Sequence, residues 1–306
     1  MGRYLVKRLW QTLIVLVCVI FCAFMLVRIA PGSPARLMLP EEASEEQVAL
    51  KEKELGLDRP LPIQFWNYTT NLFKGDFGLS TMYRQPVLPI IIQRLPNSAR
   101  IAFSTIIFGC LVAILLGVVA AANRGKILDF FSVFFALFGQ SMATPWLAVL
   151  NIYIFALKLG WLPAIGSGEL RYMVLPVLTL GFAVAAGLTR IVRSGMVDTL
   201  NEDYITATYA KGIRRGIVYW KYAFRNAMIP VVTSVGINLG GFLAGTVIVE
   251  TVFGMAGIGQ LISQSVEQRD YQMVQSLVLV SAIFITFINL IVDIINSWID
   301  PRISLR

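Results

Sequence analysis

From Leu9 to Val27 the chain runs nineteen residues without a charge, and only Gln11 and Thr12 are mildly polar. Further apolar runs follow at roughly Ile101 to Ala122, Phe130 to Leu157, Met173 to Leu188, Ile229 to Val249 and Met273 to Ile299. Each is long enough to cross a hydrocarbon core of ~30 Å, which takes roughly twenty apolar residues in a helix. A chain of 306 residues that is 57% hydrophobic and only 14% charged therefore reads as an all-α, polytopic membrane protein with six transmembrane helices. The first run is read as a retained span, because Arg28 and "APGSP" follow it where a signal peptide would show a small-x-small cleavage site.

The basic residues orient these spans. With the N-terminus inside, the inner segments hold Arg3, Lys7, Arg8, Arg124, Lys126, seven residues between Arg190 and Arg225, Arg302 and Arg306, whereas the two short outer loops hold only Lys158, Arg171 and Arg269. Short loops rich in Lys and Arg stay in the cytoplasm, so both termini are expected there. The expected layout is an N-terminus and first helix over 1–30, a periplasmic or extracellular loop over 31–97, a five-helix core over 98–300 and a cytoplasmic tail over 301–306. In the outer loop, "EEASEEQVALKEKELGL" reads as an exposed amphipathic helix. The formal net charge of +8 follows the same rule. Its carriers cluster at the ends of apolar runs and form no stripe that could track phosphates, so no nucleic-acid partner is expected.

One inner loop is longer than a simple turn requires. Between Arg190 and Asn226, "EDYITATYAKGIRR" is polar and helical in pattern, with Ile205, Tyr209, Ile213, Ile217, Trp220 and Phe224 recurring at threes and fours. That spacing predicts an apolar stripe resting on the membrane domain while Asp203, Thr206 and Lys211 point away. Gly212 permits a sharp turn, so two short helices are expected to meet there, the second running to Asn226. A plain interfacial anchor would show the same periodicity.

The residues here resemble the inner-membrane permease subunits of ABC importers serving dipeptides, oligopeptides, glutathione and nickel. The resemblance rests on Glu202-Asp203-Tyr204, Ala210-Lys211-Gly212 and Arg225-Asn226-Ala227-Met228-Ile229-Pro230 at matching spacing. "LGLDRPLPIQFWNY", "GDFGLS", "RLPNSARIA", "GWLP", "LPVLTLG", "VETVFGMAGIGQL", "RDY" and "NLIVDIINSWIDPRI" carry it over nearly the whole chain. It implies the type I importer permease fold and makes the polar loop a coupling helix that docks on a cytoplasmic ATPase, with Asp203, Tyr204, Ala207, Lys211, Gly212 and Arg214 as the coupling residues. It also implies a second, homologous permease, two ATPase subunits and an extracytoplasmic substrate-binding protein. Three positions depart from the family pattern: Thr206 stands where such permeases often carry a glutamate, the outer glycine block reads Ala256-Gly257-Ile258-Gly259, and Gln272 replaces a proline.

The spans carry other polar and small residues. Thr286, Asn289, Asp293 and Asn296 share one helix face and are read chiefly as interhelical hydrogen-bonding groups. Gly236-xxx-Gly240 and Gly241-xxx-Gly245 have the spacing that lets helix backbones approach, with lining of a pathway as the lesser reading. Thr144-Pro145 is expected to kink the third span. Cys18, Cys22 and Cys110 all lie in apolar runs and read as small core hydrophobes.

No histidine occurs in the chain, which removes histidine triads and the commonest transition-metal ligand, and no metal site is expected. No GxxxxGKS/T stretch is present to cradle a nucleotide, so ATP and Mg would belong to partner ATPase subunits, with no cofactor and no catalytic residue on this chain. A secondary transporter driven by an ion gradient is the alternative, but it would ordinarily show buried ionisable groups and broken mid-membrane helices. A membrane peptidase would need a Ser/Lys pair, paired aspartates or HExxH.

Overall fold

The computed structural model describes residues 2–29, 34–37, 39, 43–54, 56–243 and 246–299. Among them no strand forms, and an isolated bridge pairs Leu79 with Pro86. The reason lies in the solvent: lipid cannot hydrogen-bond a peptide group, so an apolar segment crossing it satisfies its own backbone as a helix.

Four helices are long and apolar enough to cross a membrane: α1 (Gly2–Ile29), α5 (Val87–Ala122), α8 (Leu170–Leu200) and α15 (Tyr271–Ile299). Two bent helix pairs are together long and apolar enough to bring the number of spans to six. The first joins α6 (Ile127–Ser141) to α7 (Thr144–Asn151) and a π-helical turn through Lys158, with a bend of 102°. The second joins α12 (Ile229–Leu243), through 53°, to the segment Arg215–Ala227, whose exposed Arg215, Lys221 and Arg225 mark it as the polar end of that pair.

Several boundaries move from those the hydropathy indicates. α5 starts at Val87, so residues 87–97, read as loop, are the first turns of a helix about 54 Å long. Pro86 caps it, Pro89 falls in the first turn where no N–H is needed, and Pro96 is carried inside it. α8 likewise runs on to Leu200, so residues 190–200 extend the helix and the polar loop begins only after it. The third apolar run is two helices rather than one kinked span. Met142 and Ala143 are extended, and Pro145 sits at the second position of α7, where its missing N–H costs nothing. The fifth run also stops early. α12 has 15 residues, and a separate helix α13 (Val247–Val252) follows.

The core is built around α5 against α8, with α6 on the other side of α8 and α12 and α15 completing the bundle. One buried cluster runs along the α5–α8 seam through Ile106, Ala113, Val184, Leu188, Val192 and Met196, and continues without a break into Ile205, Val218, Ala223 and Ala227 of the polar segment. α1 lies outside this bundle against α15. Cys18 and Cys22 are on its exposed side, so they are surface rather than core residues, while Cys110 is half-buried between α5 and its neighbours.

At the opposite end from residues 203–227, the long loop contributes α2 (Pro34–Leu37), α3 (Glu45–Glu54) and α4 (Leu61–Phe73). α3 is the helix expected from "EEASEEQVALKEKELGL", with Val48 as its buried contact. α4 begins at prolines and lays Phe65 edge-on against Phe21 and Phe24 of α1, at ring separations of 5.7 and 5.3 Å. Arg28 ties the two helices by donating to Gln64 Oε1 at 3.0 and 3.1 Å. This loop is thus anchored by aromatic packing and one guanidinium rather than hanging free.

Candidate functional site

The polar segment folds as α9 (Asp203–Ala210), a turn over Lys211–Arg214, then α10 (Arg215–Ile217), a π-helical turn through Ala223 and α11 (Phe224–Ala227). α9 starts where Glu202 turns extended, and Asp203 in the first turn complements the positive helix end. It stops because Gly212 has φ +74°, a left-handed conformation that costs an L side chain about 1–2 kcal/mol. A Cβ on Gly212 would meet nothing within 4 Å. The glycine is thus required by backbone geometry, and the space above it is open to a partner.

The apolar stripe differs from the one its spacing predicts. Ile205 is fully buried, and Ile213 and Phe224 pack against the core, but Tyr209, Ile217 and Trp220 are exposed. Thr208, Val218, Ala223 and Ala227 are the buried residues instead. The left-handed turn at Gly212 and the π-helical turn at 218–223 each shift the phase, so a single 3.6-residue period cannot hold across both.

Asp203, Ala207 and Lys211 fall at spacings of four on the side away from Ile205, and they are exposed together with Thr206, Gly212 and Arg214. Tyr204 is 40% exposed, and its hydroxyl accepts from Asn226 Nδ2 at 2.7 Å and donates to the Tyr222 carbonyl at 3.4 Å. That pair staples α9 to the second helix, joining the two halves of the motif across the turn. Desolvation, reinforced by Tyr219 and opposed by Arg215, pushes the Tyr209 phenol up, so it stays a neutral hydrogen-bonding group. The cations Lys211, Arg214, Arg215, Lys221 and Arg225 are all exposed. The segment is therefore rigid on its inner side, where it belongs to the α5–α8 core, and free on its outer side.

The predicted intramembrane residues do not form one site. Gly236 and Gly240 face α15: a Cβ on Gly236 would overlap Val292, and one on Gly240 would lie 3.6 Å from the Ile285 Cα. Gly241 faces open space, and Gly245 lies outside the described residues. Asn289 is exposed. Asp293 turns to α1 and pairs with Arg8 at 3.0 Å, while Asn296 turns to α12 and donates to Thr233 Oγ1 at 2.9 Å. Thr286 bonds its own helix at Ala282 O. The polar face thus divides between two neighbours. Both members of the Arg8–Asp293 pair are partly exposed, so the pair is worth about 1 kcal/mol or less. Asp293→Asn should hold substrate uptake within about twofold at equal protein level. A collapse of uptake would instead mark proton handling at this carboxylate.

Sequence reading missed two buried carboxylates, Glu250 and Asp270, both fully buried. Glu250 accepts from Ser98 Oγ at 2.8 Å, from Gln260 N at 3.1 Å and from Thr246 Oγ1 at 3.4 Å, and Ser98 Oγ in turn accepts from Ile258 N at 2.8 Å. These bonds cap α14 (Ile258–Glu267) and lock it to α5 and α13. Gly257 leaves room for the carboxylate, since a Cβ there would collide with Glu250 and Ser98. Asp270 caps α15 by accepting from Met273 N at 3.1 Å, and it also accepts from Met82 N at 3.2 Å and from the Ser80 hydroxyl. Beside it Gln272 donates to the Phe77 carbonyl at 2.7 Å and fills the space over Gly78. Gln272 thus ties "GDFGLS" to α15.

A third feature is a cleft of about 410 Å³ beside the bend between α6 and α7, closed on its other sides by α8 and α12. Its polar lining is Gln140, Thr144, Arg190, Ser234 and Asn238.

Comparison with known proteins places this geometry. Residues 113–305 match the family described as "Binding-protein-dependent transport system inner membrane component", and residues 1–102 match its N-terminal companion. The "Glutathione transport system permease protein GsiC" of Salmonella typhimurium is 39% identical over 306 residues, covering 100% of both chains, and the Escherichia coli K12 protein of the same name is equally similar. Two inward-facing forms of the MetNI methionine ABC transporter share the fold, with TM-scores of 0.59 and 0.61 at 18% and 17% identity, over 69% and 70% of this chain and 96% and 98% of theirs. An all-helical bundle with two bent spans, a polar segment continuous with its core, and family matches over nearly its whole length place this chain among the binding-protein-dependent transport system inner membrane components, the permease subunits of ABC importers.

Proposed function

We propose that this permease pairs with a second, similar permease to enclose a translocation path for a small peptide-like solute, glutathione being the leading candidate, delivered by an external binding protein. Two cytoplasmic ATPase subunits hold the ATP and Mg and grip the α9 segment, and both termini of this chain are cytoplasmic. The observation that carries this reading is the continuity of the buried cluster from Val184 and Leu188 through Met196 into Ile205, Val218 and Ala227. A segment packed into the span core on one face and exposed on the other carries a push into the bundle as a rigid body. The exposed face then docks through Asp203, Ala207, Lys211, Gly212 and Arg214. Tyr204 acts differently, holding α9 to Asn226. The solute assignment rests on 39% identity to glutathione permeases over the full length.

Cysteine introduced at Ala207 should crosslink to the ATPase subunit in the assembled transporter, and the crosslink should weaken when ATP closes or opens the ATPase pair. Crosslinking to lipid-anchored reagents only would leave α9 as a surface anchor. Orientation has its own test. Ser44 is exposed whereas Ser80 is buried, so Ser44→Cys is the reporter for the first loop. In intact cells Ser44→Cys should label with an impermeant thiol reagent and Thr206→Cys should not, following the basic residues at the α9 end. Labelling of Thr206→Cys from outside would invert the topology.

A further inference from the structure

The cleft beside the α6–α7 bend has an uneven chemistry. Four of its five polar lining residues are neutral, Gln140, Thr144, Ser234 and Asn238, and the fifth is Arg190. No carboxylate lines it. Among the described residues Arg190 has no ion pair or hydrogen-bond partner, in contrast to Arg193 one turn further on, which grips Asp129 with bonds of 2.5 and 2.9 Å. The two arginines lie on one helix and differ in role: one guanidinium is consumed in joining α8 to α6, and the other lines a largely apolar cleft that carries four neutral polar side chains.

The hollow has the dimensions of a small peptide. Its α8 wall runs from Leu180 to Ile191, about 16 Å along the helix axis. An extended chain of three residues needs about 10 Å. Ser234 spends its donor on Pro230 O at 3.0 Å and Asn238 one of its two on Ser234 O at 2.7 Å, which leaves the other Asn238 N–H and its carbonyl oxygen for a ligand amide. Arg190 is exposed in the inner part of α8, at the edge of the cleft, where a guanidinium beside a concave surface can meet a passing ligand. A guanidinium is also the side chain best matched to a carboxylate, which it binds with two parallel N–H bonds.

We infer that this cleft is a substrate station within the translocation path, where Arg190 binds a free carboxylate of a peptide-like solute and Gln140 and Asn238 contact its amides. This rests on the permease reading above and deepens it by assigning the substrate class: a small solute bearing at least one free carboxylate. A cationic or carboxylate-free solute would find no complement there. Arg190 is a specificity-determining residue, and the cleft holds its ligand weakly, through one charged contact and a few neutral ones, as a passing site must.

The test uses the full transporter with its native cysteines replaced and Ser234→Cys as reporter, reacted with a thiol-specific reagent. S-methylglutathione, which carries free carboxylates and no reactive thiol, should slow that reaction, and the same probe with its carboxylates amidated should not. Arg190→Gln should raise the half-protecting concentration at least about tenfold, as expected for loss of one charge-assisted hydrogen-bonded contact. Arg190→Lys, which keeps the charge, should recover most of the protection. Absence of protection, equal protection by the amidated probe, or protection unchanged in Arg190→Gln would each overturn the assignment. The amidated probe needs no substitution at Arg190, so the answer does not depend on that variant folding. A transporter that takes up S-methylglutathione yet shows no protection refutes this inference alone, whereas one that takes up no peptide-like solute refutes the underlying reading as well.

Discussion

Gly212→Val should cut substrate uptake at least about tenfold while the permease still inserts and reaches the membrane, because no span is altered. Two effects act together. A β-branched residue at φ +74° is strained by about 1–2 kcal/mol, enough to move the end of α9 and the exposed Lys211 and Arg214 with it. The added side chain also projects into space that is open in this chain, where an ATPase groove would have to accommodate it. Gly212→Asn separates the two, since asparagine tolerates the left-handed region. Near-normal uptake in Gly212→Asn would assign the defect to the backbone, and loss in both variants would assign it to the fit with the partner. The readouts are ATPase co-purification and uptake at equal permease level. A membrane anchor predicts neutrality in Gly212→Val, since an apolar side chain favours an interface.

Glu250→Ala should fail at the other end of the molecule. It removes a carboxylate that satisfies Ser98 and Gln260 N at once, leaves those donors buried, and opens a cavity beside α14, at a cost of about 3 kcal/mol or more. The transporter should show a lower unfolding midpoint in detergent and lose uptake, yet retain its ATPase subunits, because the α9 face is untouched. Glu250→Gln keeps the shape and one acceptor, so it should be clearly milder. Equal damage from the two would mean that the second carboxylate oxygen, rather than volume, matters here. The contrast with Gly212→Val separates the two ends of the molecule: one variant acts at the α9 segment, the other where α14 meets α5 and α13.

Much of this was legible in the sequence because the physics is local. Uncharged runs of about twenty residues demand lipid-crossing helices, and four of the six expected spans correspond to unbroken helices that cover them. The division of 203–227 at Gly212 was equally readable, since a lone glycine between two periodic stretches marks a turn. Register was not. Within α9 the buried face pairs Ile205 with Thr208 three residues on rather than with Tyr209 four on, and beyond the left-handed turn at Gly212 the phase shifts so that Val218 rather than Ile217 is buried. The break between α6 and α7 could be placed at Thr144-Pro145, but its 102° bend is decided by the extended Met142 and Ala143. The buried carboxylates were out of reach for a simpler reason. Glu250 meets Ser98 from 152 residues away, and Asp270 meets Ser80 from 190. No window along the chain contains both partners.

Reconstitution into liposomes tests the central claim most directly. Permeases, ATPase subunits and binding protein are purified together and supplied with a radiolabelled glutathione-class solute, with and without ATP on the cytoplasmic side. The account predicts uptake that requires ATP and the ATPase subunits and persists when ionophores collapse every ion gradient. Uptake by the permease pair alone, driven by an imposed ion gradient and indifferent to ATP, would contradict it.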